Sequence, residues 1–366
     1  MDATFHAILR AAVDAGASDI HLKPDASVLV RVDGQLIVAE SSKPTEAWLK
    51  TVLHGLLPEA RRREFADDRE IDFAFSEPGL GRFRVNAYTQ RGLPAIAVRL
   101  VKSVIRNFAE LNLPAQLGKM AGGKRGIVIL GGATGSGKST TLAAMIDHLN
   151  RNERRHVITL EDPIEFLFED AQCVIEQREI GLDTDSYETG LRRVLRQDPD
   201  VIVIGEMRDA ESARAAMSAA NIGRLVFATL HTSDAVQSIQ RLLEFFPAGE
   251  RGFARQLFSQ TLRGIVCQRL VRSAQSGLLP ATEVLFNTAS IARLIEEEQF
   301  EKVRGAMELS GADGMHTFDQ SLMALARDGK ISREEALAHS ANPDLLRMTF
   351  QGVVVTEAQR ILQSRR

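Results

Sequence analysis

The chain has 366 residues, a formal net charge of −3, 44% apolar residues and 25% charged residues. Its length predicts two or three folded domains, and this ordinary composition excludes a disordered or fibrous protein. The slightly negative charge provides no overall attraction for nucleic acid, and no apolar run approaches the roughly 20 residues that span a bilayer. The N-terminus lacks a basic segment followed by an apolar core, and the only cysteines, Cys173 and Cys267, are too few for a four-cysteine zinc site. We therefore expect a cytoplasmic protein.

The first hundred residues predict a small α+β domain that ends near residue 101. Apolar residues recur at helical spacing from Phe5 to Val13, and Gly16 ends this helix. Two β-rich runs at 28–32 and 36–38 meet through Asp33-Gly34, a dipeptide typical of hairpin turns. The elements predicted after them are a helix around 48–57 and strands at 71–75, 81–88 and 95–100.

Four arginines of this domain, Arg82, Arg84, Arg91 and Arg99, are predicted to lie on its strands. Arginines two positions apart on a strand share a face, and such a face suits the neutralisation of a phosphate across a domain or subunit boundary. The alternative is a set of arginines on a solvated strand face. The run 61–63 is interpreted as the solvated end of a helix.

Residues 102–113 are predicted to form a linker, and strands and helices alternate after it as in a parallel α/β sheet. This second domain is expected to extend from 114 to 366, with a helical subregion from about 233 onward. Four apolar runs predict its buried strands, at 126–130, 157–160, 201–204 and 225–229. The remaining predictions are a helix over 236–246, a long helix from about 249 to 270, a strand at 282–286 and four short helices.

The most specific motif is Gly132-Ala-Thr-Gly-Ser-Gly-Lys-Ser139, which follows the first of these buried strands directly. Its glycines permit positive φ angles that turn backbone N–H groups toward a triphosphate. Lys138 adds a positive charge, the Ser139 hydroxyl would ligate Mg²⁺, and the next helix points its positive end at the ligand. A glycine-rich turn that fits by coincidence is the alternative. The predicted nucleotide-binding residues are Gly132, Thr134, Gly135, Ser136, Gly137, Lys138, Ser139 and Thr140.

A carboxylate follows the third buried strand, in Asp200-Val-Ile-Val-Ile-Gly-Glu206. Gly205 lets the chain approach the phosphates, and Glu206 emerges at the carboxyl end of the strand, where ligands of α/β sheets bind. There it would hold the water shell of the metal or polarise the attacking water. A simple Walker B strand ends in Asp instead, and a surface glutamate after a core strand is the alternative.

Two further polar segments follow strands in the same way. Glu161-Asp-Pro-Ile-Glu165 places three carboxylates within five residues, which is easiest to explain if Mg²⁺ and an activated water lie among them. A solvated acidic loop is the alternative. His231, in Thr229-Leu-His-Thr232, would hydrogen-bond the γ-phosphate or a catalytic carboxylate, against the alternative of a satisfied core or capping histidine.

These elements in this order resemble the secretion ATPase superfamily, and within it the PilT/PilU family of type IV pilus retraction ATPases. The resemblance covers nearly the whole chain, and the joint order and spacing of its motifs are highly specific. The matching segments are 18–22, 31–34, 81–84, 111–114, the phosphate loop, 161–165, 196–200, 205–208, 229–232 and 315–320.

The resemblance implies an α/β protein with a PAS-like domain over 1–101, a RecA-like ATPase domain over 114–366 and a homohexameric ring. It implies a motor that hydrolyses ATP with Mg²⁺ and powers pilus retraction. The implied partners are an inner-membrane platform protein and a paralogous retraction ATPase, with no nucleic acid and no direct membrane insertion. The protein would lie in the cytoplasm, peripheral to the inner face of the cytoplasmic membrane through the pilus machine.

The resemblance also assigns roles to residues. Glu206 and Glu165 would serve the attacking water, and Glu206 would hold Mg²⁺ through water beside Ser139. His231 would couple the site to its neighbours, and Arg84 and Arg99 would complete the site. Extension and export ATPases usually carry a four-cysteine zinc module, so its absence favours the retraction branch.

Some residues depart from the family pattern. Ser290-Ile-Ala-Arg-Leu-Ile-Glu-Glu297 replaces the usual Ala-Ile-Arg-Asn-Leu-Ile-Arg-Glu, and Arg224 stands where many relatives have a second histidine. The tail after Asp344 continues through Val353 and Leu362, which makes it longer than the tail of a minimal retraction ATPase. An accessory PilU-like ATPase, or a related secretion or assembly ATPase, therefore remains an alternative.

Two competitors come from other functional classes. A RecA-like nucleic-acid translocase should display basic loops with aromatics that stack on bases, but this chain has only two Tyr and one Trp. A non-hydrolysing assembly or regulatory subunit should have lost Lys138 or the carboxylates that follow the strands, and all of these are present.

Overall fold

The computed structural model describes residues 2–32, 34–101 and 103–352, without the side chain of Ala60. Asp33 and the tail residues Val353 and Leu362, on which interpretations above depend, lie outside these ranges. Packing divides the chain into two units, one of residues 1–104 with 165–167 and one of residues 105–164 with 168–366.

The first unit is an antiparallel six-stranded sheet with three helices, as expected of an α+β domain. Along the sheet the strands follow the order β3-β2-β1-β6-β5-β4. They are β1 (Asp19–Leu22), β2 (Leu29–Val32), β3 (Gln35–Val38), β4 (Glu70–Glu77), β5 (Gly81–Gln90) and β6 (Leu93–Leu100). The helices are α1 (Ala3–Asp14), α2 (Glu46–Leu56) and α3 (Glu59–Asp68).

These elements form where the sequence pattern places them. The Asp2 side chain accepts a hydrogen bond from the Phe5 N–H and caps α1, whose apolar face is buried. Strands β2 and β3 form the expected hairpin. The strand β1 was not predicted, because four residues of alternating polarity carry too little signal.

Strand β3 lies at the edge of this sheet, hydrogen-bonded to β2 on one side. All four of its side chains are exposed. The apolar residues Leu36, Ile37 and Val38 are 51%, 48% and 61% exposed, respectively. The edge is therefore apolar on both faces of the strand.

The predicted arginine face is confirmed for two residues on β5. Arg82 and Arg84 alternate with the buried residues Phe83 and Val85 and so lie on the opposite face of the sheet. On β6, Arg99 lies directly opposite Arg84 in the antiparallel register. Arg84 and Arg99 therefore lie side by side.

Two predictions about arginines are wrong. Arg91 is not on a strand, because Arg91 and Gly92 form the turn between β5 and β6 with φ angles of 51° and 77°. Positive φ at both central residues is the usual geometry of a two-residue hairpin turn. The run 61–63 lies inside α3, where Arg62 donates to the carbonyl oxygens of His54 and Leu57 at the end of α2.

The second unit is built on a seven-stranded sheet in the order β13-β12-β7-β11-β10-β8-β9, parallel except for the β12–β13 pair. The four predicted buried strands are confirmed as β7 (Gly126–Gly131), β8 (His156–Glu161), β10 (Val201–Ile204) and β11 (Leu225–Leu230). Strand β9 (Val174–Glu179) was not predicted. Helices α4 (Leu117–Ala121), α5 (Lys138–Asn152), α6 (Tyr187–Val194), α7 (Ala210–Asn221) and α8 (Ala235–Glu244) pack around the sheet.

The long helix predicted over 249–270 is wrong in its second half. Helix α9 (Arg251–Thr261) ends where strand β12 (Leu262–Arg272) begins. The strand fits between β7 and β13 (Leu278–Phe286) because Gly264 has no side chain. A Cβ atom there would lie 2.4 Å from the Met120 Cε and 2.6 Å from the Leu285 carbonyl oxygen.

The C-terminal helices number five within the described residues, where four were expected. They are α10 (Ala289–Glu296), α11 (Val303–Leu309), α12 (Phe318–Arg327), α13 (Arg333–His339) and α14 (Pro343–Phe350). Among the described residues, no helix combines the length and apolarity that a membrane span requires.

Candidate active site

The carboxyl ends of four parallel strands meet at one edge of the second sheet. The loop 132–137 follows β7, Glu161 ends β8, Glu206 lies two residues after β10, and His231 follows β11. Because strand order brings these ends together, the predicted phosphate loop lies beside the predicted carboxylates and histidine.

The phosphate loop has the conformation that its glycines predict. Gly135 and Gly137 adopt φ angles of 79° and 88°, and α5 begins at Lys138. The Lys138 side chain is buried, and its Nζ donates to the carbonyl oxygens of Gly132 and Ala133 at 2.7 and 3.0 Å. The ammonium group is therefore positioned over the loop itself.

The side chain of Gln268, on β12, supports the phosphate loop through hydrogen bonds. The Gln268 Nε2 donates to the Ser136 carbonyl oxygen at 2.8 Å, and its Oε1 accepts from the Thr141 hydroxyl at 2.6 Å. A Cβ on Gly137 would lie 2.6 Å from the Gln268 Nε2. Gln268 was not predicted as a site residue.

A cavity of about 220 Å³ adjoins the loop. Its lining includes Arg106, Gly137, Thr140, Thr141, Gln268 and Leu278. Gly137 and Thr140 belong to the predicted nucleotide-binding set, so the cavity lies against that set.

The loop passes a test of fit for a bound phosphate chain. Within the described ranges, the buried Ser136 hydroxyl has no hydrogen-bond partner. A buried hydroxyl without a partner costs free energy, and a phosphate oxygen would satisfy it. Ser139 is half-buried in the first turn of α5, where its hydroxyl is available to a phosphate-bound Mg²⁺.

Glu206 is bonded to two cationic or potentially cationic side chains. Its Oε2 accepts from the Arg208 Nη2 at 2.6 Å, and its Oε1 lies 3.1 Å from the His231 Nε2. The hydrogen bond and charge of Glu206 raise the pKa of Arg208, so that guanidinium remains charged. The structure thus brings together Glu206 and His231, two residues predicted separately from the ends of two strands.

The backbone joins these same two strand ends. The Thr229 hydroxyl donates to the Gly205 carbonyl oxygen at 2.5 Å, and the Met207 N–H donates to the Thr229 carbonyl oxygen at 3.0 Å. The Glu206 and His231 backbones are therefore fixed relative to each other.

Tyr187, in the first turn of α6, is a neighbour that the sequence did not reveal. A Cβ on Gly205 would lie 2.8 Å from its hydroxyl oxygen. Burial, and then the charges of Asp162, Glu161 and Glu206, raise the pKa of Tyr187 against the opposing effect of Arg208. The phenol therefore stays protonated beside the carboxylates.

The acidic segment 161–165 does not form a compact three-carboxylate site. The Glu161 Oε1 accepts from the Thr159 hydroxyl at 2.7 Å and from the Gln177 Nε2 at 3.0 Å. No group of three His, Cys, Asp or Glu side chains within the described residues is arranged to hold a metal ion. The interpretation that Mg²⁺ lies directly among these three carboxylates therefore has no geometric support.

The remaining predicted site residues lie in the first unit. Glu165 is exposed and belongs to segment 165–167, which packs with that unit. Arg99 donates through Nε to the Asp19 carboxylate at 2.7 Å. The participation of Glu165, Arg84 and Arg99 in the nucleotide site stays a prediction.

Two of the departures from the family pattern, Arg224 and segment 290–297, contain arginines that form ion pairs. Arg224 precedes β11, at the opposite edge of the sheet, and pairs with Asp198 at 3.1 Å. Segment 290–297 forms most of α10, where the exposed Arg293 pairs with Glu297 at 2.7 Å.

Known proteins resemble the chain over nearly its whole length. The family described as "Type II/IV secretion system protein" matches residues 2–348. The type IV pilus ATPase PilU of Pseudomonas aeruginosa is 42% identical, over 95% of this chain and 91% of that protein. The type IV pilus retraction ATPase PilT of the same organism is 38% identical, over 90% and 96%.

Solved structures agree with these sequence relatives. A crystal structure of the pilus retraction motor PilT with bound ADP superposes with a TM-score of 0.87 at 37% identity, over 94% of this chain and 98% of that one. The Legionella pneumophila ATPase DotB superposes with a TM-score of 0.78 at 26% identity, over 96% of each chain.

Proposed function

Because the chain belongs to the type II/IV secretion system protein family, we propose that it is an ATP-hydrolysing motor that powers retraction of a type IV pilus. The observation that carries the proposal is the pairing of Glu206 with His231 at 3.1 Å, at the sheet edge that also holds the phosphate loop. A carboxylate held by a histidine at the ligand-binding edge of the sheet is placed to act as a general base on a water beside the phosphates.

In this proposal the nucleotide is ATP, and the loop amides, Lys138 and the Ser136 hydroxyl bind its phosphates. Bound Mg²⁺ would neutralise negative charge on the phosphates. Ser139 would hold the ion directly and Glu206 through water. Gly132, Thr134, Gly135, Gly137 and Thr140 complete the binding set, since they shape the loop and its adjoining cavity.

Glu206 accepts the proton of the attacking water in this scheme. Its two oxygens already accept from Arg208 and lie against His231, so those side chains orient the carboxylate. A general base positioned in this way typically contributes a factor of about 100 to 10,000 to the rate. We keep Glu165 as a second proposed group for the same water.

We further propose a homohexamer in which the first unit, taken as a PAS-like domain over 1–101 with a linker at 102–113, supplies arginines to the RecA-like domain over 114–366. Arg84 and Arg99 lie opposite each other on β5 and β6, and Arg99 is already paired with Asp19 at 2.7 Å. Two adjacent arginines suit the neutralisation of phosphate charge at a shared site.

The proposed partners are an inner-membrane platform protein of the pilus machine and a paralogous retraction ATPase. The proposed location is the cytoplasm, at the inner face of the cytoplasmic membrane through that machine. A PilU-like accessory role is a second candidate, favoured by the 42% identity to PilU and by the altered segment 290–297.

Steady-state ATP hydrolysis, with oligomeric mass measured on the same samples, tests the proposal. Glu206→Ala should retain nucleotide binding and lose turnover about 100-fold or more. Lys138→Ala should lose nucleotide binding. Glu244→Ala, an exposed carboxylate at the end of α8, is the matched control and should leave the rate unchanged.

Equal turnover in the wild-type protein and Glu206→Ala would contradict the assignment of the base. Absence of turnover in a folded wild-type hexamer would favour the accessory role. Deletion of the gene followed by a count of surface pili tests direction, because loss of retraction leaves more pili on the cell.

A further inference from the structure

A buried carboxylate outside the site described above joins two helix starts. Glu283, in the middle of β13, is 5% exposed. Its Oε1 accepts from the Ala235 N–H at 2.8 Å, and its Oε2 accepts from the Phe318 N–H at 3.3 Å. Ala235 is the first residue of α8 and Phe318 the first residue of α12, so each oxygen satisfies one helix start.

One of these helix starts is tied to the histidine that contacts Glu206. The segment between His231 and α8 is short and internally bonded. The Thr232 and Ser238 hydroxyls lie 2.7 Å apart, and the Ser238 hydroxyl donates to the Asp234 carbonyl oxygen at 2.8 Å. These bonds tie the residues directly after His231 to the first turn of α8.

The other helix start is equally well defined. Thr317 and Gln320 form a capping box at the start of α12. The preceding residue, His316, exchanges two backbone hydrogen bonds with Val284, the neighbour of Glu283 on β13. Helix α12 therefore begins in a hydrogen-bonded frame that includes Glu283.

The side chain of Arg269 also connects the segment after His231 to the C-terminal helices. The Arg269 guanidinium lies 4.1 Å from the centre of the Phe318 ring. It donates to the carbonyl oxygens of Ser233 and His339 at 3.3 and 3.0 Å. Glu283 and Arg269, on paired strands, thus both bridge the segment after His231 and the C-terminal helices.

We infer that Glu283 is a positioning residue that couples His231 to helix α12, so that the hydrolytic site and the C-terminal helices shift together. The inference rests on the proposed function, since it concerns the residue that orients Glu206. A buried carboxylate is costly to keep, and burial raises the pKa of Glu283 against the lowering effect of its two N–H donors. An apolar residue would fill β13 without linking the two helices.

Substitutions on both sides of one hydrogen bond test the inference. Glu283→Gln keeps the shape but replaces one acceptor oxygen with a donor that faces an N–H. Ala235→Pro removes the donor instead, at the first helical position, where proline is well tolerated. Asn287→Ala is the control, because it removes two side-chain hydrogen bonds near the far end of the same strand, to the carbonyls of Ser259 and Leu262.

We expect kcat for ATP hydrolysis to fall at least fivefold in Glu283→Gln and Ala235→Pro, with the Kd for ATP within twofold of wild type. Asn287→Ala should keep kcat within twofold even where its melting temperature falls. A role in stability alone would lower the melting temperature and leave kcat unchanged, and that result in either folded variant overturns the inference.

Hydrogen exchange in the wild-type protein provides a test that needs no variant. Addition of ADP with Mg²⁺ should slow exchange in peptide 315–322, at the start of α12, as well as in the phosphate loop. Slowed exchange in the loop alone overturns the inference. Absence of wild-type hydrolysis would instead contradict the proposed function, so the two failures are distinguishable.

Discussion

At the residue scale, the phosphate loop depends on a side chain far from its own motif. Gln268 is 127 positions from Thr141 in sequence, yet it bonds both Thr141 and the Ser136 carbonyl oxygen. Nothing local to Gln268 distinguishes it from other polar residues of a strand. Lys138, Glu206 and His231 could be predicted because each follows a buried strand, whereas Gln268 and Tyr187 reach the site only through tertiary packing.

Gln268→Ala should raise the Kd for ATP about three- to tenfold. The two lost hydrogen bonds contribute roughly 1 kcal/mol each, and we expect part of this free energy to stabilise the loop conformation that binds ATP. Titration of a fluorescent ATP analogue measures the effect. Gln275→Ala, at an exposed turn position, is the matched control. An unchanged Kd in Gln268→Ala would mean that the loop keeps its shape without this support.

Gly205→Ala should reduce turnover about tenfold or more, because the new Cβ would lie 2.8 Å from the Tyr187 hydroxyl and 3.1 Å from the Leu160 carbonyl oxygen. The chain must then shift at the residue before Glu206. Adding Tyr187→Phe removes the nearer contact and should restore part of the rate. Steady-state assays of the single and double variants, with Tyr187→Phe alone as the control, measure this coupling, and additive losses would contradict it.

At the element scale, the strand β12 shows where local sequence patterns stop being informative. Leu262–Arg272 is long and apolar, so its helical interpretation as a continuation of α9 was reasonable from the sequence. The strand forms instead because β7 and β13 supply hydrogen-bonding partners on both sides. The four central strands could be predicted because each is a short apolar run followed by a glycine or a polar loop. The conformation of β12 depends instead on pairing with distant segments of the chain, which its local sequence does not reveal.

Helix α12 begins beside a half-buried histidine, His316, which makes the stability of this region depend on pH. Burial lowers the pKa of His316, against the opposing effect of its bonds with Thr282 and Gly314. The unfolded chain, with an ordinary histidine pKa of about 6.5, then binds a proton more readily than the folded protein. This contribution to stability is complete above about pH 6.5 and is lost as the pH falls below it.

We therefore expect the melting temperature to fall between pH 7.5 and 5.5, and to fall less in His316→Asn. Thermal unfolding followed by circular dichroism at several pH values measures this difference. His54→Asn, at an exposed position near the end of α2, should retain the wild-type slope. The same slope in His316→Asn as in the wild-type protein would contradict the assignment.

At the scale of the whole molecule, the proposed ring divides each site between two chains. Arg84→Ala chains keep an intact phosphate loop, and Lys138→Ala chains keep intact arginines. Mixed rings of the two should regain part of the hydrolysis rate that each variant lacks, because some boundaries then combine an intact loop with an intact arginine. The rate is measured on mixed rings of verified composition.

A chain with both substitutions, mixed with Arg84→Ala chains, is the control for this experiment and should show no rescue, since no chain of that mixture carries Arg84. Equal rates in the two mixtures would place the arginine and the loop of each site in the same chain. Neither result depends on the direction in which the motor moves its filament.

The apolar edge strand of the first unit has a consequence for handling the protein in pieces. Strand β3 pairs on one side only and exposes Leu36, Ile37 and Val38. A row of backbone donors and acceptors with apolar side chains is a template for strands from other molecules. We therefore expect an isolated N-terminal fragment to self-associate through this edge into sheet-like aggregates at temperatures below its unfolding temperature. The solubility of the fragment would then depend mainly on strand β3.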